Sequence, residues 1–568
     1  MQVSGHNSKQ KSIFMRILKS IITAAICLLS SQLGAQQVVN GKVFVDSNSN
    51  GVHEAEEPGI GEVSVSNGRD VVRTSATGEY SIEIRNGDIL FITKPADYTI
   101  PVNENNLPQF YYIHLPHGTP DSLDLRFRGL RESKLKPDAI NFPLLPGESR
   151  SKIRMIALAD PQPLNDRELD FFRDDVVNEL LNNDADFAVV AGDIMHDDLS
   201  LFPRYNRLMS QLGIPVWNIP GNHDLNFESP DDSQSLETFK RFYGPSYYSF
   251  DYGNSHFVVL DNVDYLGRGS NTNIYEYRRG GKYRGYISDK QLTWLRNDLQ
   301  QIPGSKRIVI ITHIPLLHGY WEHETLNTVN REDLFRILKG RDNILFLAGH
   351  THSTDHQFIG KDRGWVNSKP VHQHILTTAS GSWWQGPLDE RGIPATPQSD
   401  GSPNGYHIYI FNEDDYSFRY KAAGKPADYQ FRVYLDEEYH NHDIRGLVYS
   451  QMGEQGKRIS KEHLFSTRLV VNVFSGTPRD SVWFSIDKGE WQLLQNVTEL
   501  PPWFVEFQAR FEPGTGEKQM SQAAPTNHLW VRPMPTGLET GEHLMDVKVN
   551  THFGKVYTES MIFEVLAP

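Results

Sequence analysis

The chain has 568 residues, a formal net charge of −15 and one cysteine. This length exceeds what a single hydrophobic core supports and indicates about three domains. With 38% hydrophobic and 11% aromatic residues, the composition excludes a largely disordered chain. The acidic balance disfavours nonspecific binding to DNA or RNA, so bulk nucleic acid is not an expected partner.

Residues 1–35 have the pattern of a secretory signal peptide. A basic beginning precedes an apolar stretch at residues 21–29, which is too short to span a bilayer, and a small-residue cleavage site that ends at Ala35. We therefore predict export to the periplasm, the medium or the cell surface, with no transmembrane segment in the mature chain. The alternative is an uncleaved N-terminal anchor. The basic residues of this segment are Lys9, Lys11, Arg16 and Lys19.

The single cysteine, Cys27, lies inside that apolar stretch. A cysteine there suits a lipoprotein signal, but Ile26 stands where a small residue is expected, which disfavours lipidation. Cleavage after Ala35 leaves a mature chain without a disulfide, a thiolate nucleophile or a cysteine zinc site. Because the removed segment carries four basic and no acidic residues, the formal charge of −15 becomes −19.

Residues 36–145 are predicted to form a small β-domain. Residues 41–45, 63–65 and 80–84 have strand character, and the last of these alternates between apolar and polar side chains. Between the first two strands, residues 46–57 match a twelve-residue calcium-loop pattern. No helical pattern flanks the loop, which resembles the calcium loops of bacterial surface β-sandwich repeats and allows calcium-dependent adhesion alongside any other activity. The alternative is an ordinary Asn/Gly-rich turn. The candidate calcium ligands are Asp46, Asn48, Asn50 and Glu57.

Residues 146–436 alternate apolar runs with helical stretches, as in a layered α/β domain. Several of the runs are rich in Val and Ile without alternation, which is typical of strands buried on both faces. Residues 167–181 have helical spacing, and Ser288 with Gln291 forms a capping box ahead of a second helix. The predicted strands are residues 153–159, 186–191, 214–219, 257–260, 307–311 and 343–348.

Residues 437–568 are predicted to form a second β-sandwich-like domain, because short strands recur between turn residues at the usual interval. The fold class is therefore an α/β domain flanked by two all-β domains. The predicted strands of this last domain are residues 469–474, 482–486, 503–508, 528–532 and 543–549.

Five short motifs follow directly on strands of the central domain. Layered α/β folds bind their ligands beyond the carboxyl ends of strands, so these loops can converge on one point. Carboxylate, amide and imidazole groups in this combination bind divalent transition metals. Each motif alone is weak evidence, but their joint occurrence predicts a metal site. The motifs are Asp160-Pro161-Gln162, Gly192-Asp193, Gly221-Asn222-His223-Asp224, Thr312-His313 and Gly349-His350-Thr351-His352.

In order and spacing, these motifs resemble those of the calcineurin-like metallophosphoesterases. The resemblance is strongest across residues 153–411, and the flanking domains are similar to those of the three-part bacterial type. It implies a layered αββα sandwich that holds two divalent metal ions (Mn, Zn or Fe) and hydrolyses phosphate esters. Asp193 would bridge the two metals. The residues that match ligands of the first metal are Asp160, Gln162, Asp193 and His352, and those of the second are Asp193, Asn222, His313 and His350.

The same resemblance implies the roles of the catalytic residues. A metal-activated hydroxide would attack phosphorus while Asn222 helps to hold the phosphoryl oxygens. His223 would donate a proton to the leaving group, and Asp224 would orient the His223 ring. Monoesters and diesters use the same ligands in this family, so the ester class of the substrate stays open.

Two positions depart from the commoner patterns of the family. Gln162 stands where His is more frequent, and its amide oxygen is the weaker ligand, so we expect lower occupancy of the first metal site. His196 lies three residues after Asp193, where purple acid phosphatases carry a tyrosine. Tyrosinate–iron chemistry is therefore not expected.

The surroundings of the site leave two alternatives open. An aromatic floor beside the metals would suit a sugar, nucleoside or lipid substituent, whereas the same residues can simply pack the C-terminal domain against the core. The histidines at 356, 372 and 374 have no motif support and are predicted to be structural or exposed. The residues of the suggested floor are His318, Trp321, His323, Trp383, Trp384 and the loop 400–406.

A competing hypothesis is a secreted binding or adhesion protein whose central site is only a metal-stabilised scaffold. The presence of Asp193, Asn222 and His223 together argues against it, because a catalytically dead relative would be expected to lose one of them. Neither the physiological substrate nor the oligomeric state follows from the sequence.

Overall fold

The computed structural model describes residues 37–133, 139–267, 282–413, 415–437, 458–511 and 519–567. The predicted signal peptide lies outside the described residues. No helix in these ranges is long and apolar enough to cross a membrane.

The N-terminal region forms two four-stranded sheets that pack face to face. Their strand orders are β4-β1-β8-β6 and β3-β2-β5-β7. The alternation predicted for residues 80–84 is confirmed, because successive side chains of β4 are exposed and buried in turn. The strands are β1 (Gln37–Val45), β2 (Ser64–Ser66), β3 (Val71–Arg73), β4 (Glu79–Ile84), β5 (Ile89–Ile92), β6 (Tyr98–Thr99), β7 (Tyr111–Ile113) and β8 (Phe142–Pro146).

The central region contains a five-stranded and a six-stranded sheet, in the orders β11-β10-β9-β20-β21 and β12-β13-β16-β17-β19-β18. β14 and β15 form a separate ribbon. The strands are β9 (Ile153–Leu158), β10 (Phe187–Ala191), β11 (Val216–Ile219), β12 (Tyr248–Tyr252), β13 (Ser255–Val259), β14 (Val263–Tyr265), β15 (Tyr283–Gly285), β16 (Arg307–Ile311), β17 (Ile344–Ala348), β18 (Asp355–Ile359), β19 (Val371–Ile375), β20 (Gly405–Phe411) and β21 (Tyr416–Ala422).

Helices cover the outer faces of both sheets, which gives the αββα order that the resemblance implied. One apolar cluster joins the first sheet to the helices around residues 166–209, and another joins both sheets to the helices at 289–299 and 331–337. The helices are α1 (Asp166–Phe172), α2 (Asn178–Leu180), α3 (Phe202–Met209), α4 (Glu237–Tyr243), α5 (Asp289–Leu299) and α6 (Arg331–Ile337). A π-helical turn, Arg173–Val177, joins α1 to α2.

Of the two hydrogen bonds of the capping box predicted at the start of α5, the first is confirmed. The Ser288 hydroxyl accepts a hydrogen bond from the Gln291 backbone N–H at 3.4 Å. The Gln291 side chain does not return to the backbone of Ser288. It pairs instead with the backbone N–H and C=O of Asp261, at 3.0 and 2.8 Å. The cap therefore also ties α5 to the end of β13.

The C-terminal region is a sandwich of two sheets, in the orders β22-β24-β28-β27 and β23-β30-β29-β25-β26. Its first strand, β22, lies almost wholly inside the range predicted for the central domain, yet it pairs with β24. The strands are β22 (Phe431–Glu437), β23 (Arg458–Ser460), β24 (Thr467–Val473), β25 (Ser481–Ile486), β26 (Gln492–Leu493), β27 (Gln495–Glu499), β28 (Thr526–Pro533), β29 (Gly541–Asn550) and β30 (Val556–Leu566).

The strand predicted at residues 503–508 is wrong, because these residues form helix α7 (Pro502–Arg510). Its aromatic residues suggested a strand by propensity, but Pro502 at the start of the segment has the fixed φ that suits the first turn of a helix. Trp503 and Phe507, four positions apart, stack with their ring centroids 4.9 Å apart on one side of the helix.

Candidate metal centre and active site

The carboxyl ends of neighbouring parallel strands bring the predicted ligands to one edge of the central sandwich. β9, β10 and β11 run side by side in the first sheet, and β16 and β17 do so in the second. All seven predicted metal ligands lie in the loops that follow these strands. Six of them are buried: Asp160, Gln162, Asp193, Asn222, His313 and His352.

Asp193 lies at the centre of the cluster, as a bridging ligand would. One of its carboxylate oxygens lies 3.3 Å from His313 Nε2 and also accepts the backbone N–H of His223 at 2.9 Å. The other accepts a hydrogen bond from Gln162 Nε2 at 3.0 Å. The carboxylate therefore contacts residues that the resemblance assigns to both metals.

The residues matched to each metal also group around separate points. On one side, Asn222 Oδ1 lies 3.0 Å and His350 Nδ1 lies 3.1 Å from His313 Nε2. The ligand atoms of Asp193, His313 and His350 all lie within 4.8 Å of one another, which is close enough to hold one cation. On the other side, His352 Nε2 lies 3.8 Å from the carboxylate of Asp160.

Each histidine of the cluster is oriented by a backbone carbonyl. His313 Nδ1 donates to Ala191 O at 2.9 Å, His350 Nε2 donates to Thr325 O at 2.8 Å, and His352 Nδ1 donates to Gly381 O. In each ring this bond turns the other nitrogen toward the cluster, where it can bind a cation once it is deprotonated. Such support is the usual arrangement around metal-binding histidines.

Two further observations show that these residues fit a pair of cations. The amide oxygen of Gln162 is buried without a hydrogen-bond partner, although such atoms are costly to leave unpaired. A cation at the first site would satisfy it. Two carboxylates, Asp160 and Asp193, are also buried close together, and cations would neutralise their mutual repulsion.

The ligand loops store backbone strain. The φ angle is positive at Asp160 (47°), Gln162 (44°), Asp193 (48°), His350 (77°) and His352 (49°). Non-glycine residues in this region cost about 1 kcal/mol or more each and persist where the surrounding structure enforces them, which is frequent at functional sites. The strain therefore supports a functional role for this edge of the sandwich.

Two glycines of the motifs are required by close approach. A Cβ on Gly221 would lie 2.1 Å from the Asp193 backbone N, and one on Gly349 would lie 2.5 Å from Asp160 Oδ2. Both distances are too short for any side chain, so these positions admit only glycine. Gly221 and Gly349 thus allow their loops to pack closely against the loops that carry Asp193 and Asp160.

Burial and mutual charge shift the pKa values of the cluster. Burial raises the pKa of Asp160 to about 8. Burial also lowers the pKa of His350 to about 3 and that of His352 to about 4, so both rings are neutral ligands at neutral pH. For His313, burial opposes the charged form, but the adjacent Asp193 carboxylate outweighs it and raises the pKa to about 9.

His223 does not pair with Asp224, which corrects the sequence prediction. The partner of its Nδ1 is Asp197 Oδ1, at 2.6 Å. The Asp224 carboxylate points away from the ring and is fully buried, where it accepts the backbone N–H groups of Ile194, Met195 and Gly221 at 2.9–3.0 Å. Asp224 therefore holds the Gly192-Asp193 loop against the Gly221 loop through these backbone N–H groups.

Asp197 was not predicted from the sequence, and His196 was noted only as the position where purple acid phosphatases carry a tyrosine. The His196 ring stacks on the His223 ring with centroids 4.5 Å apart, so His223 lies between a ring and a carboxylate. The available signal was their position, three and four residues after the bridging Asp193, within the same loop. Nothing local distinguished Asp197 from the neighbouring Asp198.

The tryptophans of the suggested aromatic floor lie in different surroundings, and one of them contacts a predicted metal ligand. Trp384 is buried, donates from Nε1 to Pro161 O at 2.9 Å and packs edge-on against Phe172 of α1, so it supports the first motif from within the central domain. Trp383 lies against the metal-ligand candidate His352, with ring centroids 4.7 Å apart. Trp321 is 47% exposed and stacks on His318.

The histidines without motif support are buried and form an array at the edge of the two sheets. His356 Nδ1 pairs with His372 Nε2 at 2.8 Å. The Ser475 hydroxyl lies 3.1–3.2 Å from Nε2 of His356, His374 and His407. Burial lowers the pKa of every member. The histidine array is therefore neutral and structural, and its members are His356, His372, His374 and His407.

The predicted calcium loop keeps its acidic oxygens close to its own backbone. Asp46 accepts the N–H groups of Asn50 and Gly51, and Glu57 accepts those of Ser47 and Glu54. The Asn48 and Asn50 amides donate to the Glu54 side chain. These bonds fold the loop tightly, and calcium binding stays a prediction.

The fold and the site together define a class of two-metal hydrolases with ligands on strand-end loops. The calcineurin-like phosphoesterase family model matches residues 153–354, and models of the N-terminal and C-terminal parts of calcineurin-like phosphoesterases match residues 47–129 and 373–557. The chain belongs to the calcineurin-like phosphoesterases, with the family's own domains on either side of the core. Membership implies two divalent metal ions.

Several known proteins are similar to part of this chain. A probable glycerophosphodiester phosphodiesterase from Arcobacter nitrofigilis is 27% identical over 34% of this chain and 65% of its own length. A 3',5'-cyclic-nucleotide phosphodiesterase from Nostoc sp. is 25% identical over 31% of this chain and 58% of its own length. The chain therefore spans less than two thirds of these relatives.

Phosphatases are also among the similar proteins. Purple acid phosphatase 15 of Arabidopsis thaliana is 24% identical over 34% of this chain and 39% of its own length. Among solved structures, a dimetal phosphatase from Danio rerio superposes with a TM-score of 0.31 at 17% identity, covering 48% of this chain and 96% of that chain.

Proposed function

We propose that this chain hydrolyses phosphate esters at a site for two divalent metal ions. The observation that carries the proposal is the convergence of seven candidate ligand side chains from five strand-end loops. One nitrogen of each histidine and the unpaired Gln162 oxygen face the cluster. A metal-stabilised binding scaffold is not favoured, because His223 and its carboxylate partner are placed beside the cluster in addition to the ligands.

The residues divide between the two metals as the family pattern implies. Asp160, Gln162 and His352 would hold the first metal, while Asn222, His313 and His350 would hold the second, and Asp193 would bridge them. When bound, the cations supply a water of lowered pKa as nucleophile and neutralise charge on the phosphoryl oxygens. Mn, Zn and Fe all suit this mixed imidazole and oxygen donor set.

His223 would act as the proton donor to the leaving group. Its Nδ1 is held by the Asp197 carboxylate, so the opposite nitrogen, Nε2, is the atom that carries the transferable proton. The negative charge of Asp197 favours the protonated ring before transfer and keeps its orientation afterwards. Asn222 would also contribute its amide to hold a phosphoryl oxygen.

The ester class is the open part of this function. The similar proteins include phosphodiesterases and phosphatases, and the same ligands serve both reactions. An assay of the protein reconstituted in turn with Mn²⁺, Zn²⁺ and Fe²⁺, on paired nitrophenyl phosphate monoester and bis(nitrophenyl) diester substrates, identifies both the ester class and the preferred metal.

The decisive variant is Asp193→Asn, which removes the bridging charge. We expect it to bind less than two metal ions per chain and to lose turnover by at least about a thousandfold, as removal of a shared ligand disables both metals. Asp184→Asn, on an exposed side chain outside the five motifs, is the matched control and is expected to retain wild-type activity. Full turnover by Asp193→Asn would refute the two-metal proposal.

We further propose that the chain is exported and that its N-terminal domain binds calcium. Support for export comes from the basic and apolar pattern of residues 1–35, and sequencing of the mature N-terminus tests it, since cleavage would expose Gln36. Support for calcium comes from the twelve-residue spacing that ends at Glu57. A melting temperature that calcium raises in the wild type but not in Asp46→Ala would confirm that site.

A further inference from the structure

The metal-ligand candidate His352 is held at two points by the central domain. Its ring Nδ1 donates to Gly381 O, and its backbone carbonyl accepts two hydrogen bonds from Ser399, one from the N–H and one from the hydroxyl, both at 3.0 Å. Because φ at His352 is 49°, the residue depends on such contacts to keep its conformation.

Both of these supports are themselves held by the C-terminal domain. The hydroxyl of Ser382, next to Gly381, is 2.6 Å from the Ser521 hydroxyl and accepts the Ser521 N–H at 3.2 Å. The Ser399 carbonyl accepts the Ala524 N–H at 2.9 Å. The short segment 521–524 therefore contacts both supports of His352, at Ser382 and at Ser399.

The Ser382 hydroxyl has a single hydrogen to donate, and this determines which group donates in each of these hydrogen bonds. The Ser382 hydroxyl donates to Pro397 O at 2.6 Å, so its oxygen accepts from the hydroxyl and the N–H of Ser521. Ser382 is fully buried and Ser521 is 6% exposed, so water does not readily replace a lost bond. Loss of the Ser521 hydroxyl removes one of the two donors to the Ser382 oxygen and leaves the Ser521 N–H as its remaining donor.

The contacting segment is anchored to its own domain. The Gln508 amide on α7 donates to Ser521 O at 3.0 Å. From the same domain, Asn472 donates to Asp400 O at 2.9 Å and Arg432 donates to Gly401 O at 2.6 Å, which holds the loop that begins at Ser399. The C-terminal domain thus contacts this loop at three successive residues.

We propose that Ser521 of the C-terminal domain is a positioning residue for the first metal, acting through Ser382 and Gly381 on His352. The inference rests on the two-metal site proposed above and extends it beyond the central domain. The C-terminal domain is then part of the machinery that holds the metal, and not only an appended module. Residues that orient metal ligands typically contribute tenfold or more to metal affinity.

The test is titration of metal-free, full-length protein with Mn²⁺ alone, followed by calorimetry. In Ser521→Ala we expect the Kd of one of two Mn²⁺ ions to rise about tenfold while the other is unchanged. Ser521→Thr, which keeps the hydroxyl, restores the affinity. The matched control is Asn527→Ala, which removes a different hydrogen bond of the same interface, from Asn527 Nδ2 to Asp355 Oδ1 at 2.9 Å.

The outcomes separate the possible failures. Equal losses of Mn²⁺ affinity in Ser521→Ala and Asn527→Ala, at similar losses of melting temperature, would mean that loosening of the interface is responsible and would overturn the specific role. Two unchanged Mn²⁺ sites in Ser521→Ala would overturn it as well. A wild-type protein that binds fewer than two Mn²⁺ would instead refute the two-metal site itself.

Discussion

Replacing Asp197 tests whether His223 is the proton donor. In Asp197→Asn the side chain keeps an oxygen that accepts the bond from His223 Nδ1, which is 2.6 Å long in the native chain, but it loses the negative charge. Burial raises the pKa of Asp197, yet the His223 ring and its hydrogen bond outweigh burial and lower the pKa overall, so the carboxylate is charged at neutral pH. The variant therefore isolates the electrostatic part of the contact.

The magnitude follows from the geometry. A hydrogen bond between charged groups contributes about 1.5–3 kcal/mol, whereas a neutral one contributes about 0.5–1.5 kcal/mol. The difference of about 1–1.5 kcal/mol corresponds to a loss of roughly 5- to 13-fold in the step that needs the proton. Because the lost charge had stabilised the protonated ring, the alkaline limb of the pH–rate profile moves to lower pH, by about one unit.

The assay compares leaving groups. An alkyl phosphate ester needs a proton on its departing oxygen, whereas a nitrophenyl ester departs as a stable anion, so Asp197→Asn should slow the first about tenfold and the second hardly at all. Asp224→Asn is the contrasting variant, since its carboxylate holds the metal loops and its loss should slow both esters together. An unchanged ratio of the two rates in Asp197→Asn, with full metal content, would show that His223 is not the acid.

Two other predictions follow from buried groups. Gln162→Ala should weaken binding of one Mn²⁺ about tenfold in calorimetry, because the unpaired amide oxygen is the predicted ligand. Gln162→His should strengthen that binding, and equal affinities in all three proteins would exclude the role of Gln162 as a ligand. In the histidine array, burial lowers the pKa of His407 to about 3, below the value near 6.5 of an unfolded chain. The unfolded state then binds more protons between these values, so stability falls as pH drops below about 6.5. His407→Gln should lose less melting temperature between pH 7 and pH 5 than the wild type, and equal losses would contradict this origin.

The sequence predicted the elements around the site because their signals are local. The runs at 187–191 and 308–311 are apolar on both faces, and the structure places them in fully buried strands, β10 and β16. Each ligand motif begins within one or two residues of the end of its strand, so strand order alone brings Asp193 and His313 to one edge. The glycines of the motifs added the tight turns that this edge requires.

The hydrogen-bond partner of His223 could not be predicted from the sequence because it depends on the shape of a turn. Asp224 is adjacent in the chain, but the tight turn after Gly221 directs its carboxylate to three backbone N–H groups on the far side. Asp197 comes from another loop and reaches the ring only after the sheet has formed. A neighbour in sequence is therefore a poor guide to a hydrogen-bond partner in a loop of this kind.

The proposed role of the C-terminal domain could not be predicted from the sequence either, because it depends on contacts between distant residues. Ser382 and Ser521 are 139 residues apart, and neither belongs to a motif, so no spacing rule connects them. A metal site, however, is only as rigid as the residues that orient its ligands. At His352 the ring and the backbone carbonyl are each held by a residue that the C-terminal domain contacts in turn. The central domain supplies every ligand, and the rigidity of at least one of them depends on a domain that supplies none.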